Sequence, residues 1–184
     1  AMVATRVNSK DMPQSPRREY LIKGKMVKIP NGYSPSNGSY GDSDTRAESF
    51  FNDEISWTSN PAWIIYDLLV NPIYGLGKYG ITDEQIDKWS FFEFARRADE
   101  PVDVFIDGVA TKERRYMCNL YVNTEREAFS YIKDLMNIYS SNIHFSGGKI
   151  YISTDKPSDP VMLFTNANIS EQGFAYSTIP QTNI

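Results

Sequence analysis

Trp57–Gly77, WTSNPAWIIYDLLVNPIYGLG, carries both ends of a helix in its own residues. Asn60 is a good N-cap, because its side-chain oxygen can accept from a free N–H of the first turn. Pro61 falls at the first helical position, where its missing N–H costs nothing. Ala62, Trp63, Ile64, Ile65, Tyr66, Leu68, Leu69 and Val70 follow, with Asp67 the only charge. A short helix that is apolar nearly all round is buried on several sides. Pro72 disfavours helical geometry at Asn71 and ends the helix. Gly75 and Gly77 supply free backbone for a sharp exit. The stretch predicts a central packing helix and by itself specifies no chemistry.

On its N-terminal side, residues 1–18 are polar, with Pro13 and Pro16, and read as a flexible basic arm. Residues 20–29, YLIKGKMVKI, alternate in part and predict a strand bent at Gly24. Residues 30–49 are rich in Gly, Ser, Asn, Asp and Pro and predict a long loop, the length of which suggests function, partner contact or a connection. Phe50 and Phe51 are expected to re-enter the core, and Ile55 with Trp57 to form a short strand. Residues 19–56 thus form a connecting segment ahead of a domain spanning 57–184.

On the C-terminal side, Thr82 with Gln85 fits a capping box and Ile81 with Ile86 a hydrophobic staple. Ile86, Trp89, Phe92 and Ala95 continue at helical spacing to about Ala98. VDVFI, residues 102–106, predicts a short strand before an Asp107-Gly108 turn. Residues 113–122 alternate and predict another strand. A third helix is expected from Thr124 and Glu127 onward, with Ala128, Tyr131, Ile132, Leu135, Met136 and Tyr139 on its apolar stripe. Ile143 and Phe145, Gly147-Gly148, then Ile150 and Ile152 predict a hairpin. Val161–Phe164 and Phe174–Ile179 would complete a C-terminal β-meander. The order predicts an α+β fold, about three helices packed on antiparallel strands. The expected core comprises Trp57, Pro61, Trp63, Ile64, Tyr66, Leu68, Leu69, Tyr74, Trp89, Phe92, Leu120, Leu135 and Phe164.

The 184 residues suffice for one sizeable core or two small ones. Aromatic residues make up 14% of the chain, including 12 Tyr and 10 Phe. That richness fits a Tyr-laden interface, a carbohydrate-binding face, or a core with amphipathic strands. Net charge is −4 and unevenly spread. The first 30 residues hold seven basic against two acidic side chains, a surplus of five, which leaves the other 154 at −9. An acidic body argues against sequence-specific nucleic-acid binding. No apolar run approaches the roughly 20 residues of a membrane-spanning helix, and residues 1–12 lack the apolar region of a signal peptide. Ala1 before Met2 reads as a cloning remnant and the chain as an excised fragment.

Candidate chemistry is sparse. A single cysteine, Cys118, permits no internal disulfide and no cysteine-based metal cluster within one chain. It reads as a small buried apolar residue. His144, the only histidine, lies in an alternating strand without the pattern of a nucleophilic triad around it. Asp99, Glu100, Asp103 and Asp107 lack calcium-loop spacing and read as a solvated acidic loop, with a calcium site or a glycosidase-type acid pair as the sharper options. Lys112–Arg115, KERR, reads as a solvated charge run, with an interface contact as its alternative. No catalytic residue, metal or cofactor is expected.

The central stretch, however, resembles a segment of the central tail-tip proteins of lambda-like siphophages, the J-type or host-specificity family. Other stretches resemble that family in the same order: YLIKGKMVKIPNGYSP (20–35), ITDEQIDKW (81–89), RRYMCNLYVNTEREAFSYIKDL (114–135) and DKPSDPVMLFTNANI (155–169), with Lys156 in place of an arginine. The resemblance covers roughly residues 19–179. Residues 36–54 depart from it, being Ser- and Asp-rich where the family has a loop with Trp and Gly. PVDVFIDGVATK (101–112) shortens a family insertion. The chain also stops at Ile184, where the family continues toward receptor-binding regions.

The resemblance implies a structural, non-enzymatic virion protein of a phage or prophage tail tip. In this family a homotrimeric hub, like those of contractile baseplates, closes the tail tube and meets neighbouring tail proteins and the tape-measure protein. The hub takes part in host attachment and DNA ejection. Receptor contact would fall to regions outside this chain. A carbohydrate-binding or cell-wall-degrading module of a tail tip is the alternative.

Overall fold

The computed structural model describes residues 6, 10, 19–41, 51–122, 126–165, 167–169, 173, 175 and 177, with backbone only at 51–54. The fold is mixed α+β, with four antiparallel strand pairs and three α-helices among the described residues. Residues up to Thr154 form one compact unit, and Asp155–Ile184 form a second.

Strand β1 (Val27–Pro30) pairs with β4 (Phe51–Ser56), joining Val27 to Ser56 and Lys28 to Ile55. Between them, β2 (Tyr33–Ser34) and β3 (Ser39–Tyr40) form a small hairpin. The expected strand over 20–29 therefore begins only at Val27. Among the described residues, 20–26 belong to no strand, and Lys23 and Lys25 lie over the rings of Trp57 and Tyr74. The expected long loop contains the β2–β3 hairpin, while residues 42–50, Phe50 among them, lie outside the described residues. Trp57 follows β4 and does not belong to it.

Helix α1 (Pro61–Val70) has the predicted bounds. Asn60 accepts from the Ala62 N–H at 2.9 Å, and Pro61 takes the first turn. The C-cap Asn71 donates its N–H to the Asp67 carbonyl, and its side chain accepts from the Ile73 N–H. Gly75 and Gly77 then fold a 3-10 turn, Leu76–Tyr79, back onto the end of α1. A Cβ on Gly75 would collide with the Leu68 carbonyl oxygen, and one on Gly77 with that of Val70. Their role is close approach to the helix end, not a left-handed bend.

The capping box at Thr82 and Gln85 closes only the 3-10 turn Asp83–Gln85. Ile86 returns to extended geometry and bridges Ile150, and a second N-cap, Asp87, starts α2 (Lys88–Asp99) by accepting from the Ser90 N–H. What reads as one helix is thus a short turn and a helix, since a capping box satisfies donors in either. Next, β5 (Pro101–Ile106) and β6 (Val109–Arg114) form a hairpin, turning at Asp107 (φ 50°) and Gly108 (φ 81°).

Residues 115–122 alternate in sequence but form no strand. Their backbone is diverted instead: Arg115 donates to Glu100, Tyr116 to Ala98 and Cys118 to Ser59. Helix α3 (Ala128–Ile138) starts after Glu127, which makes no side-chain cap, and Thr124 lies outside the described residues. Strands β7 (Ser141–Ser146) and β8 (Lys149–Thr154) turn at Gly147 and Gly148. Val161–Phe164, expected as the next strand, forms none, and most of the expected strand Phe174–Ile179 lies outside the described residues. In residues 155–184 the described structure is a turn in which Asn168 accepts from the Thr165 N–H and donates to the Leu163 carbonyl.

The core gathers α1, α2, α3, β1, β2 and β8 around Trp63, Tyr66, Phe91, Phe94, Leu69 and Ile132. Aromatic rings meet within it in three groups. Tyr40 meets Phe92 and Tyr33, Tyr33 meets Trp63, Tyr66 meets Phe91, and Tyr139 meets Phe94 and Tyr116. Much of the aromatic richness is therefore internal packing, worth about 0.5–1.5 kcal/mol per ring pair beyond area burial.

Candidate functional site: a buried carboxylate knot

Asp99, expected in a solvated loop, is the last residue of α2, and its side chain is 3% exposed. Residues brought in from distant points of the chain enclose it. Asn60 Nδ2 donates to Oδ2 at 2.7 Å and also to the Ala95 carbonyl at 3.0 Å. The hydroxyls of Tyr33 and Tyr40 donate at 3.4 and 3.5 Å. Arg114 Nη1 stands 3.4 Å from Oδ1, and its Nη2 donates to the Pro35 carbonyl at 2.7 Å. Thr58 Oγ1 accepts from the Asn60 N–H at 3.0 Å and lies 3.4 Å from the Tyr33 hydroxyl.

Each element contributes for a local reason. Asn60 caps α1 with its oxygen, which leaves its nitrogen free for Asp99. Gly38 has φ +70°, and a Cβ there would stand 2.7 Å from the Asp99 carboxyl carbon, so the β2–β3 loop lies directly on the carboxylate. Arg114 ends β6 beside Arg115, which pairs with Glu100 at 3.2 Å. KERR is therefore split: Lys112 is exposed opposite Asp103, and Arg114 is half-buried against Asp99. Pairing alone does not separate the two in sequence.

The electrostatics follow from burial. Desolvation pushes the Asp99 carboxyl above its ordinary value, against the opposing pull of Asn60, Arg114 and both tyrosines. Tyr33 is pushed up to about 12, and burial with the Asp99 charge pushes Tyr40 higher still. Both phenols therefore stay protonated and donate. With its contacts committed to four side chains, the carboxylate is suited to fastening elements together.

The expected core residues separate by position. Pro61, Trp63, Tyr66, Leu69 and Leu135 are buried, and Trp57, Ile64, Leu68 and Phe92 are half-buried. Tyr74, Trp89, Leu120 and Phe164 are exposed, contrary to expectation. Tyr74 turns outward to give its hydroxyl to Asp67. Trp89 sits on the outer side of α2 against Phe92. Leu120 lies in the segment that forms no strand, and Phe164 belongs to the 155–184 unit. Cys118 is buried with its thiol pushed up by burial, and His144 is an exposed cross-strand partner stacked on Tyr151.

Elsewhere, an open groove of about 470 Å³ runs between the 3-10 turn at Leu76–Tyr79 and the start of α3, with Glu127 the only carboxylate among its described lining residues. Among the described residues, no group of three or more His, Cys, Asp and Glu side chains converges as a metal site would require. No described helix is long and apolar enough to cross a membrane.

No family model matches the chain. Among curated proteins, the chain is 34% identical over 173 residues to the Tip attachment protein J of Escherichia phage SECphi27, covering 93% of the chain and 14% of that protein. It is 28% identical over 180 residues to the Tip attachment protein J of Escherichia phage SECphi4, covering 97% of the chain and 15% of that protein. The chain thus spans about one-seventh of the length of these relatives. Over nearly its whole length the chain is similar to a segment of J-type tail-tip proteins of bacteriophages.

Proposed function

We propose that this segment is a structural building block of a phage or prophage tail tip, located in the virion. Similarity to two tip attachment proteins across nearly the whole chain supports this reading. The knot at Asp99 supports it physically, because its buried polar contacts join separate elements of the fold together.

The segment acts in a central hub as a homotrimer, contacting neighbouring tail proteins and the tape-measure protein. A closed cyclic assembly suits that position. The hub closes the tail tube and participates in host attachment and DNA ejection, with receptor contact made by regions outside this segment. Catalysis is not its task. Electron microscopy of intact virions labelled with antibody against this segment tests the placement: label at the tail tip supports it, and label confined to the capsid or tail shaft contradicts it.

A further inference from the structure

Two small hairpins of this fold are held at one point. The β2–β3 hairpin lies over the core as a strap, and the β5–β6 hairpin extends from the end of α2 through six paired positions. Phe105, Ile106 and Val109 near the β5–β6 turn are exposed, and an isolated two-stranded hairpin is marginal in water. Arg114, at the base of β6, touches both systems. One guanidinium nitrogen meets Asp99, and the other holds the Pro35 carbonyl of the strap. From the strap side, Tyr33, Tyr40 and Gly38 close on the same carboxylate.

We propose that the Asp99–Arg114 contact is a latch that couples the strap to the β5–β6 hairpin, so that the two segments open and close as one unit. Displacing β6 withdraws Arg114 from Pro35 and Asp99 together. Lifting the strap removes the Pro35 carbonyl and uncovers the Asp99 carboxylate to water, which weakens the hold on Arg114. Such coupling is reciprocal by thermodynamic necessity. The β7–β8 hairpin stands outside the latch, being held to the start of α2 through Asp87 with Ile150 and Ser90 with Ile152. This inference rests on the fold and not on the tail-tip reading.

Amide hydrogen exchange of the 184-residue chain, read by mass spectrometry, tests it. The reporters are peptides covering 32–41, 101–115 and 141–154. Arg114→Ala is expected to accelerate exchange in 32–41 at least tenfold, although the substitution lies in β6. Gly38→Ala is expected to accelerate 101–115 comparably, although it lies in the strap. Both should leave 141–154 within about twofold of the parent chain. Tyr40→Phe, which removes one hydroxyl and keeps the ring packing, is the milder variant in case either of the others fails to fold. It should raise exchange in 32–41 and 101–115 by similar, smaller factors. Acceleration confined to the mutated segment overturns the latch. So does equal acceleration of all three peptides, which would mean general loss of stability.

Discussion

Asn60 and Asp99 lie 39 positions apart in sequence, and the amide nitrogen of one donates to the carboxylate of the other at 2.7 Å. The same Asn60 side chain caps α1 with its oxygen, so the start of α1 and the end of α2 are fixed by two ends of one amide. Replacing Asn60 with aspartate preserves the cap and turns the second contact into carboxylate against carboxylate. Replacing it with alanine removes both contacts. Asn60→Asp is therefore expected to destabilise the chain at least as much as Asn60→Ala near neutral pH, whereas a cap alone ranks aspartate far above alanine. Urea unfolding of the two variants decides which role dominates.

Asp99 gives the knot a pH signature. Burial raises its folded-state value above that of the unfolded chain, so the native state binds the proton more tightly. Stability from this group is present at low pH and falls as pH rises from the unfolded value through the raised folded one. Asp99→Asn cannot titrate there. Urea midpoints measured from acidic to neutral pH should show the parent losing stability relative to Asp99→Asn across the window just above the ordinary carboxylate range. A parent that gains relative to the variant would mean that Arg114, Asn60 and the tyrosines outweigh desolvation.

Trp63 is fully buried, with Tyr33 meeting its ring edge-on. Trp63→Ala should cost about 3–5 kcal/mol, the range for deleting a large aromatic side chain from a packed core. Chemical denaturation followed by far-UV circular dichroism measures it. Retention of the parent's thermal stability would remove α1 from the centre of the fold.

Two glycine substitutions should differ sharply. Gly77→Ala drives a Cβ into the Val70 carbonyl, whereas Gly24→Ala meets nothing within 4 Å. The first is expected to cost about 1–3 kcal/mol, the usual range for forced backbone shifts. The second should be neutral or slightly stabilising, because alanine restricts the unfolded chain. Parallel thermal melts of both variants read the contrast.

The elements legible in sequence are those whose signals are local. Asn60-Pro61 and Asn71-Pro72 bound α1 through their own backbone chemistry, and Asp107-Gly108 and Gly147-Gly148 mark hairpins because their turns need positive φ. The knot is not local. Asp99 looks like its neighbours Glu100 and Asp103 until Tyr33, Tyr40 and Arg114 close on it from as far as 66 positions away. Residues 113–122 show the limit of periodicity, since alternation gives a strand only where a partner edge exists, and beyond Arg114 the backbone bonds to Glu100, Ala98 and Ser59. The family resemblance rests on ordered segments along the chain and needs no contact between them.

The most direct test of the tail-tip account is cryo-electron microscopy of the intact tail of the phage or prophage particle that carries this chain. The account predicts density for the core of α1, α2, α3, β1, β2 and β8 at the tip of the tail, in three copies around its central axis, with the Asn60–Asp99–Arg114 knot inside each copy. Absence of this fold from the tip, or its presence only in another part of the virion, would contradict it.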